Sequence, residues 1–155
     1  ILSYKSLLND PPLDIKIGNL KIEKNGELNY TISYDITNTS NIDAKEVSQV
    51  YVKDVLSMVI RPEKELKAFS KDLIPAHSTK TISVKLDNRA FAYYNTNLKD
   101  WHVENGAFEI LIGASSKEIK LKQRLDIMYG TNVASREQFV QLTKSTWLIF
   151  WYELY

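Results

Sequence analysis

The chain has 155 residues, of which 44% are hydrophobic and 25% charged, and its formal net charge at pH 7 is +1. This length suits one domain with short extensions, and the balanced charge excludes a global attraction to nucleic acid or to an acidic membrane surface. The sequence contains no cysteine, which excludes disulfides, thiolate catalysis and cysteine-type zinc sites.

Alternating apolar and polar residues predict strands that each turn one face toward a core. Such runs cover residues 14–23, 28–37, 46–54, 79–86, 107–115 and 117–128. The first run changes phase at Gly18-Asn19, which predicts a β-bulge, and Asp87 is placed to cap a short helical turn within 86–94. Many short alternating strands joined by polar turns are typical of an all-β sandwich.

The run RPEKELKAFSKDL, residues 61–73, carries seven charges and no obvious chemistry. Its pattern alone is compatible with a helix, a solvated loop or a strand that docks on another surface.

Two segments fall outside the predicted sandwich, which we assign to residues 13–128. Residues 1–12 are predicted to be a linker from a preceding domain, stiffened by Pro11-Pro12. Residues 129–155 lack the two-residue period and are predicted to be a helical tail, since Ser135 is followed by residues that favour a helix start. The last turns of such a helix would be apolar almost all round and would need a surface to cover them. The run WLIFWYELY, residues 147–155, is too short for a membrane helix and contains a glutamate.

No residue stands out as catalytic, cofactor-binding or metal-binding. Neither His77 nor His102 has a second metal ligand at a suitable spacing. The five glycines match no phosphate-binding or dinucleotide-binding motif, and no nucleophile elbow is present. The scattered acidic residues do not exclude a catalytic carboxylate pair, but a solvated face is the stronger interpretation of them.

The aromatic residues offer a second kind of site. Tyr94 and Trp101, together with Tyr93, could stack on a sugar ring, or they could fill the end of the sandwich and its interfaces. Asn29 and Asn38 each begin a tripeptide of the N-glycosylation type, a weak pattern that matters only in a secretory pathway.

Three longer stretches resemble a known family in their order and spacing: 44–54, 61–95 and 101–121. They are similar to the fibronectin type III-like domain at the C-terminus of glycoside hydrolase family 3 enzymes, the β-glucosidases and their relatives. The resemblance extends over about Leu2 to Met128 and includes the sequence LSY at residues 2–4. The matching positions are Val50, Tyr51, Val52, Asp54, Arg61, Pro62, Lys64, Glu65, Leu66, Lys67, Phe69, Pro75, Ser78, Ile82, Leu86, Arg89, Tyr93, Trp101, Val103, Gly106, Phe108, Ile110, Ile112, Gly113, Ser115 and Ser116.

The resemblance implies a fibronectin type III/immunoglobulin-like β-sandwich that serves as a non-catalytic accessory module of a β-glucosidase-like enzyme, which acts on O-glycosyl bonds. In that family the nucleophile, an aspartate, lies on an N-terminal barrel, and the acid/base comes from the barrel or from the α/β domain that follows it. These two domains would be the partners of this chain. The charged run would then be a docking strand and loop, with Arg61, Lys64 and Glu65 pairing across the interface. The residues expected at that interface are Arg61, Pro62, Lys64, Glu65, Leu66 and Phe69. A separate copy of the chain is expected to expose this apolar surface and to self-associate.

Two other functions remain open from the sequence: a carbohydrate-binding module that uses Tyr94 and Trp101, and a stand-alone adhesive sandwich. Ile1 in place of methionine, and the sequence LSY at residues 2–4, favour a part of a longer enzyme. The sugar that the parent enzyme would accept and its compartment, bacterial cytoplasm or outside the cell, are not specified.

Overall fold

A computed structural model describes residues 13–128 of the chain as nine strands and one short helix. The predicted linker at 1–12 and the predicted helix in 129–155 lie outside the described residues. The elements are β1 (Ile15–Gly26), β2 (Asn29–Asn38), β3 (Ala44–Asp54), β4 (Glu65–Ile74), β5 (Ser78–Leu86), α1 (Asn88–Phe91), β6 (Tyr93–Asn95), β7 (Asp100–His102), β8 (Gly106–Gly113) and β9 (Ile119–Ile127).

The strands form two antiparallel sheets and a separate hairpin. One sheet has the order β1-β2-β5 and the other β4-β3-β8-β9, while β6 pairs with β7. The sandwich confirms the predicted fold class, and the bulge appears where the alternation changes phase, between Gly18 and Lys21. Asp87 caps α1 by accepting a hydrogen bond from the Arg89 backbone N–H at 3.0 Å.

The core lies between the two sheets and is built mainly from the apolar positions of the alternating runs, with Phe91 added from α1. Tyr34, Phe91 and Phe108 are its largest fully buried side chains. Burial of each such side chain contributes on the order of 1.5–3 kcal/mol, and the Tyr34 hydroxyl is satisfied by the Ser48 hydroxyl at 2.7 Å. The pattern that predicted the strands therefore also selected the core.

The charged run becomes a loop followed by an edge strand. Residues 61–64 precede β4, which pairs with β3 on one side. An extended structure is favoured over a helix because the apolar residues of the run pair along β3: Leu66 lies opposite Tyr51, and Ala68 lies opposite Val50.

One end of the sandwich collects the features that matter for function, and we call it the loop end. At this end Asp54 pairs with Phe108, and Gly106 pairs with Ile127. The ring of Phe91 on α1 joins the two sheets there through edge contacts with Tyr30 and Phe108, both at 5.5 Å. The loop from β3 to β4, α1 and the last residues of β9 therefore lie close together.

Candidate docking site

The loop from Val55 to Ile60, which we call the apolar loop, presents apolar side chains to solvent at the loop end. Leu56 is 84% exposed and Ile60 is 105% exposed. Val55, Met58 and Val59 are also exposed, so five of the six residues of this loop are apolar and face solvent. An exposed cluster of this kind commonly marks a surface that another protein segment covers.

Hydrogen bonds from its backbone N–H groups to neighbouring residues hold the apolar loop in place. The Val55 N–H donates to the carbonyl of Ala107 at 3.0 Å, and the Leu56 N–H donates to Asp54 Oδ1 at 3.2 Å. The Met58 N–H donates to both carboxylate oxygens of Glu104, at 3.1 and 3.2 Å. Because these bonds determine the path of the backbone, the apolar side chains are displayed in a defined arrangement.

Arg61 directly follows the apolar loop, and its side chain contacts residues of β3, β4, α1 and β6. Its Nε and Nη2 donate to Glu65 Oε1 at 3.0 and 2.8 Å, and its Nη1 donates to the carbonyl of Phe91 at 3.2 Å. Nη1 also lies 3.5 Å from Asp54 Oδ2, and the guanidinium carbon lies 5.9 Å from the centre of the Tyr93 ring. The side chain is only 7% exposed, so the guanidinium is part of the interior at this end.

Arg61 and Glu65 find partners within the domain. The structure pairs them with each other, and Glu65 also accepts from Lys67 at 2.7 Å; their pairing across an interface, which the resemblance implies, stays a prediction. An arginine enclosed by an aromatic ring, a carbonyl and two carboxylates has its donors engaged within the domain. Pro62 and the partly exposed Lys64 remain at the surface.

A pair of buried carboxyl groups, Asp54 and Glu104, supports the apolar loop. Burial raises the pKa of Asp54 and the nearby Glu104 raises it further, against the opposing effects of the Leu56 N–H and of Arg61. Burial alone would also raise the pKa of Glu65, but the hydrogen bonds from Lys67 and Arg61 lower it. Asp54 Oδ2 is buried and has no hydrogen-bond partner among residues 13–128, so its ionised form is poorly compensated.

Replacing Asp54 by asparagine is therefore expected to stabilise the folded domain, relative to the parent chain, increasingly as the pH rises. Since the folded-state pKa of Asp54 is raised, its stabilising contribution is complete below the unfolded-state value and is lost as the pH rises through the folded-state value. The stability of Asp54→Asn relative to the parent chain should increase from about pH 4 upward, by about 1.4 kcal/mol for each unit by which the pKa is raised. Urea denaturation at a series of pH values measures this difference.

Asp35→Asn serves as the control of opposite sign. Hydrogen bonds from Thr81 and Asn19 lower the pKa of Asp35, so its contribution is present above the unfolded-state value and is lost as the pH falls. The relative stability of Asp35→Asn should decrease as the pH rises. The same trend for both variants would contradict the burial argument for Asp54.

A row of side chains on the outer face of the four-stranded sheet extends the apolar surface. Leu66 and Phe69 of β4 are 49% and 68% exposed. Leu66 lies opposite Tyr51, which in turn pairs with Leu111 of β8. Both Tyr51 and Leu111 are almost fully buried although the core lies on the other face of the sheet, so the alternation rule alone underestimates how apolar this outer face is.

Tyr94 and Trp101 meet across the β6–β7 hairpin, where both rings are partly exposed. Their centres are 5.8 Å apart, with an angle of 75° between the ring planes. The Arg89 guanidinium lies 3.7 Å from the centre of the Trp101 ring. The structure therefore brings the two predicted sugar-stacking residues together, but not as a flat platform of parallel rings.

The other residues considered from the sequence have structural roles. His77 shares a hydrogen bond with the Asn41 side chain at 2.7 Å, and the His102 ring contacts Tyr93 edge-on. Asn38 is fully buried and its amide donates to the carbonyls of Ile42 and Ile74, so this side chain is not a glycosylation acceptor in the folded domain. In the described part of the chain, no group of three or more acidic or histidine side chains could hold a metal ion.

Neither the apolar loop nor the role of Glu104 was predicted from the sequence. The signal for the loop was the run VLSMVI, residues 55–60, which is apolar without alternation and lies between two charged residues. Glu104 carried no signal, because its contact with Met58 spans 46 positions in the chain.

Comparison with known proteins agrees with this architecture. The family described as fibronectin type III-like domain matches residues 46–116. A thermostable β-glucosidase B from Acetivibrio thermocellus is 45% identical over 126 residues, which cover 81% of this chain and 16% of that protein. An exo-α-(1→6)-L-arabinopyranosidase from Bifidobacterium longum is 42% identical over 104 residues, which cover 67% of this chain and 14% of that protein.

A solved structure shows the same arrangement of strands. The family 3 (GH3) β-glucosidase of Bifidobacterium adolescentis superposes with a TM-score of 0.72 at 36% identity, over 74% of this chain and 17% of that one. The chain thus spans about a sixth of the length of the relatives that it matches.

Proposed function

Because this chain is a fibronectin type III-like domain of the kind that family 3 glycoside hydrolases carry, we propose that it is a non-catalytic accessory module of such an enzyme. Its role is to dock on the catalytic barrel and α/β domains, and the parent protein hydrolyses O-glycosyl bonds. In this proposal residues 1–12 are the linker from the preceding domain, and residues 13–128 are the docking module.

The observation that carries the proposal is the apolar loop, whose backbone is held by Asp54, Glu104 and Ala107 while its side chains face solvent. A fixed and exposed apolar surface favours association, because little conformational entropy is lost when a partner covers it. Leu66 and Phe69 extend the same surface along β4. Arg61 supports it from inside, and Pro62 and Lys64 lie at its edge.

The relatives also bear on where sugar specificity resides. One of them is named as a β-glucosidase and another as an arabinopyranosidase, although each is more than 40% identical to this chain over the matched segment. Such different sugars favour a parent enzyme whose specificity lies outside this domain. We therefore assign the domain a role in the stability and assembly of the enzyme.

A chimaera tests the docking proposal. The matching segment of the A. thermocellus β-glucosidase B would be replaced by residues 13–128 of this chain, with and without the pair of substitutions Leu56→Ser and Ile60→Ser. If each side chain is buried at the interface, the pair should lower the stability of the chimaera by about 3–6 kcal/mol. In residues 13–128 on their own both positions are exposed, so the same pair should change the stability of that segment by less than about 0.5 kcal/mol. Thermal inactivation of the chimaera and denaturation of the separate segment measure the two effects.

The matched control is Leu13→Ser with Ile42→Ser, two exposed apolar positions. Asp14 beside Leu13 bonds to Thr39 near Ile42, which places both positions at the end opposite the apolar loop. This pair should leave the chimaera unchanged. Equal effects of the two pairs, or none from the loop pair, would count against docking through the apolar loop.

The carbohydrate-binding function remains the alternative, favoured by the exposure of Tyr94 and Trp101. The crossed ring planes and the guanidinium over Trp101 make this pair a weaker sugar platform than parallel open rings. Retardation of the separate chain in polysaccharide gels, abolished by Trp101→Ala, would favour the alternative.

A further inference from the structure

The strand register places the end of the described chain beside the apolar loop. The Val55 N–H bonds to the Ala107 carbonyl, and Ala107 pairs with Asp126 of β9. Adjacent strands are about 4.8 Å apart, so the start of the apolar loop and the end of β9 are separated by about 10 Å across the sheet. Met128, the last described residue, is 80% exposed.

The chain continues from this point with 27 residues, 129–155, and ends in the run WLIFWYELY. This run, Trp147–Tyr155, carries eight apolar or aromatic residues and one charge at Glu153. Its chemistry matches the apolar loop, which carries no charge. The run needs a surface that removes its rings from water, and the apolar loop needs a cover.

We propose that Trp147–Tyr155 covers the apolar loop of the same chain whenever the catalytic domains do not. The 18 residues from 129 to 146 span about 27 Å as a helix and at most about 60 Å when extended, so in either form they exceed the distance to the apolar loop. The tail and the catalytic domains therefore compete for one surface.

Tethering favours this occupant over a second copy of the chain. A segment joined to its site by a short linker meets that site at an effective concentration on the order of mM. A second copy at μM concentration is roughly a thousandfold more dilute. The self-association expected from the exposed surface is then suppressed for as long as the tail occupies the apolar loop.

Site-specific photo-crosslinking on the full 155-residue chain tests the proposal. Because the sequence has no cysteine, a single Leu56→Cys substitution carries a benzophenone probe at one known place, and an Ile42→Cys variant provides the matched control at the opposite end. Crosslinks within one chain, from position 56 to peptides of 147–155, should be at least tenfold more abundant than from position 42. Mass spectrometry of the monomer band identifies the peptides.

The double substitution Trp147→Ser and Trp151→Ser, added to the Leu56→Cys chain, should reduce that crosslink at least fivefold and raise the binding of a hydrophobic dye. Crosslinks between chains would assign the apolar loop to a second copy, and crosslinks elsewhere, or none, would show that the tail does not cover it. Each of these outcomes overturns the proposal. The chimaera addresses the docking function separately, because it carries residues 13–128 without the tail.

Discussion

Replacing Arg61 by alanine is expected to lower the free energy of unfolding of the domain by about 3–5 kcal/mol, the usual cost of breaking a buried ion pair from one side. The substitution removes the contacts with Glu65, Asp54, the Phe91 carbonyl and the Tyr93 ring at once. Asp54 and Arg61 are 6% and 7% exposed at their side chains, so water does not replace the lost partner. Urea denaturation at pH 7 measures the change.

The loss should be smaller at lower pH, because protonation of Asp54 removes the charge that is left unpaired. The double variant Arg61→Ala with Asp54→Asn should recover part of the stability for the same reason. Comparing the double variant with the two single variants gives the interaction energy between Arg61 and Asp54. Arg124→Ala is the control. Its ion pair with Asp126 is about two-thirds exposed on both sides, and surface pairs of this kind contribute little. A similar loss of stability for Arg61→Ala and Arg124→Ala would contradict the conclusion that the buried contacts of Arg61 stabilise the domain more than an exposed ion pair does.

Replacing Phe91 by alanine is expected to cost about 3–5 kcal/mol, as buried aromatic truncations usually do. Phe91 is fully buried and its ring contacts Tyr30 on one sheet and Phe108 on the other. The cavity would open where the two sheets meet at the loop end. Because the Phe91 carbonyl also accepts from Arg61, the support of the apolar loop should weaken as well. Thermal denaturation and hydrogen exchange at Leu56 and Met58 measure both effects.

Phe69→Ala is the matched control for Phe91→Ala, since it removes the same side chain from a position that is 68% exposed. It should change the stability of the separate chain by less than about 0.5 kcal/mol. In the chimaera, where Phe69 is proposed to be covered, the same substitution should reduce stability measurably. Equal losses for Phe69→Ala and Phe91→Ala in the separate chain would contradict the burial that distinguishes the two sites.

The strands could be predicted because a half-buried strand repeats every two residues, and its pattern is local. The run from 28 to 37 shows this most clearly: Tyr30, Ile32, Tyr34 and Ile36 alternate with polar residues and are all buried. The bulge at Gly18-Asn19 and the cap at Asp87 were equally local, because each depends on a few adjacent residues. The charged run at 61–73 could not be assigned from its own pattern, since its apolar positions become strand-like only when β3 lies beside them.

The candidate docking site was predicted only in part. The resemblance pointed to Leu66 and Phe69, and their exposure is compatible with an interface. It also assigned Arg61 and Glu65 to that interface, which stays a prediction; the partners that the structure shows for them lie inside the domain. A charged residue in a loop looks the same in the sequence whether its partner is internal or external, because the partner is chosen by distance in space.

By itself, the sequence determined the all-β class, the core residues that lie on alternating strands and the membership in a family of enzyme-associated domains, because periodicity and motif spacing are local properties of the chain. Only the tertiary structure decided which charges are buried and which apolar residues are left in water. Asp54 and Glu104 meet the backbone of one loop from two separate elements, and Arg61 joins that loop to α1. These contacts depend on strand register and sheet packing, which bring Met58 and Glu104, 46 positions apart in the chain, within hydrogen-bonding distance.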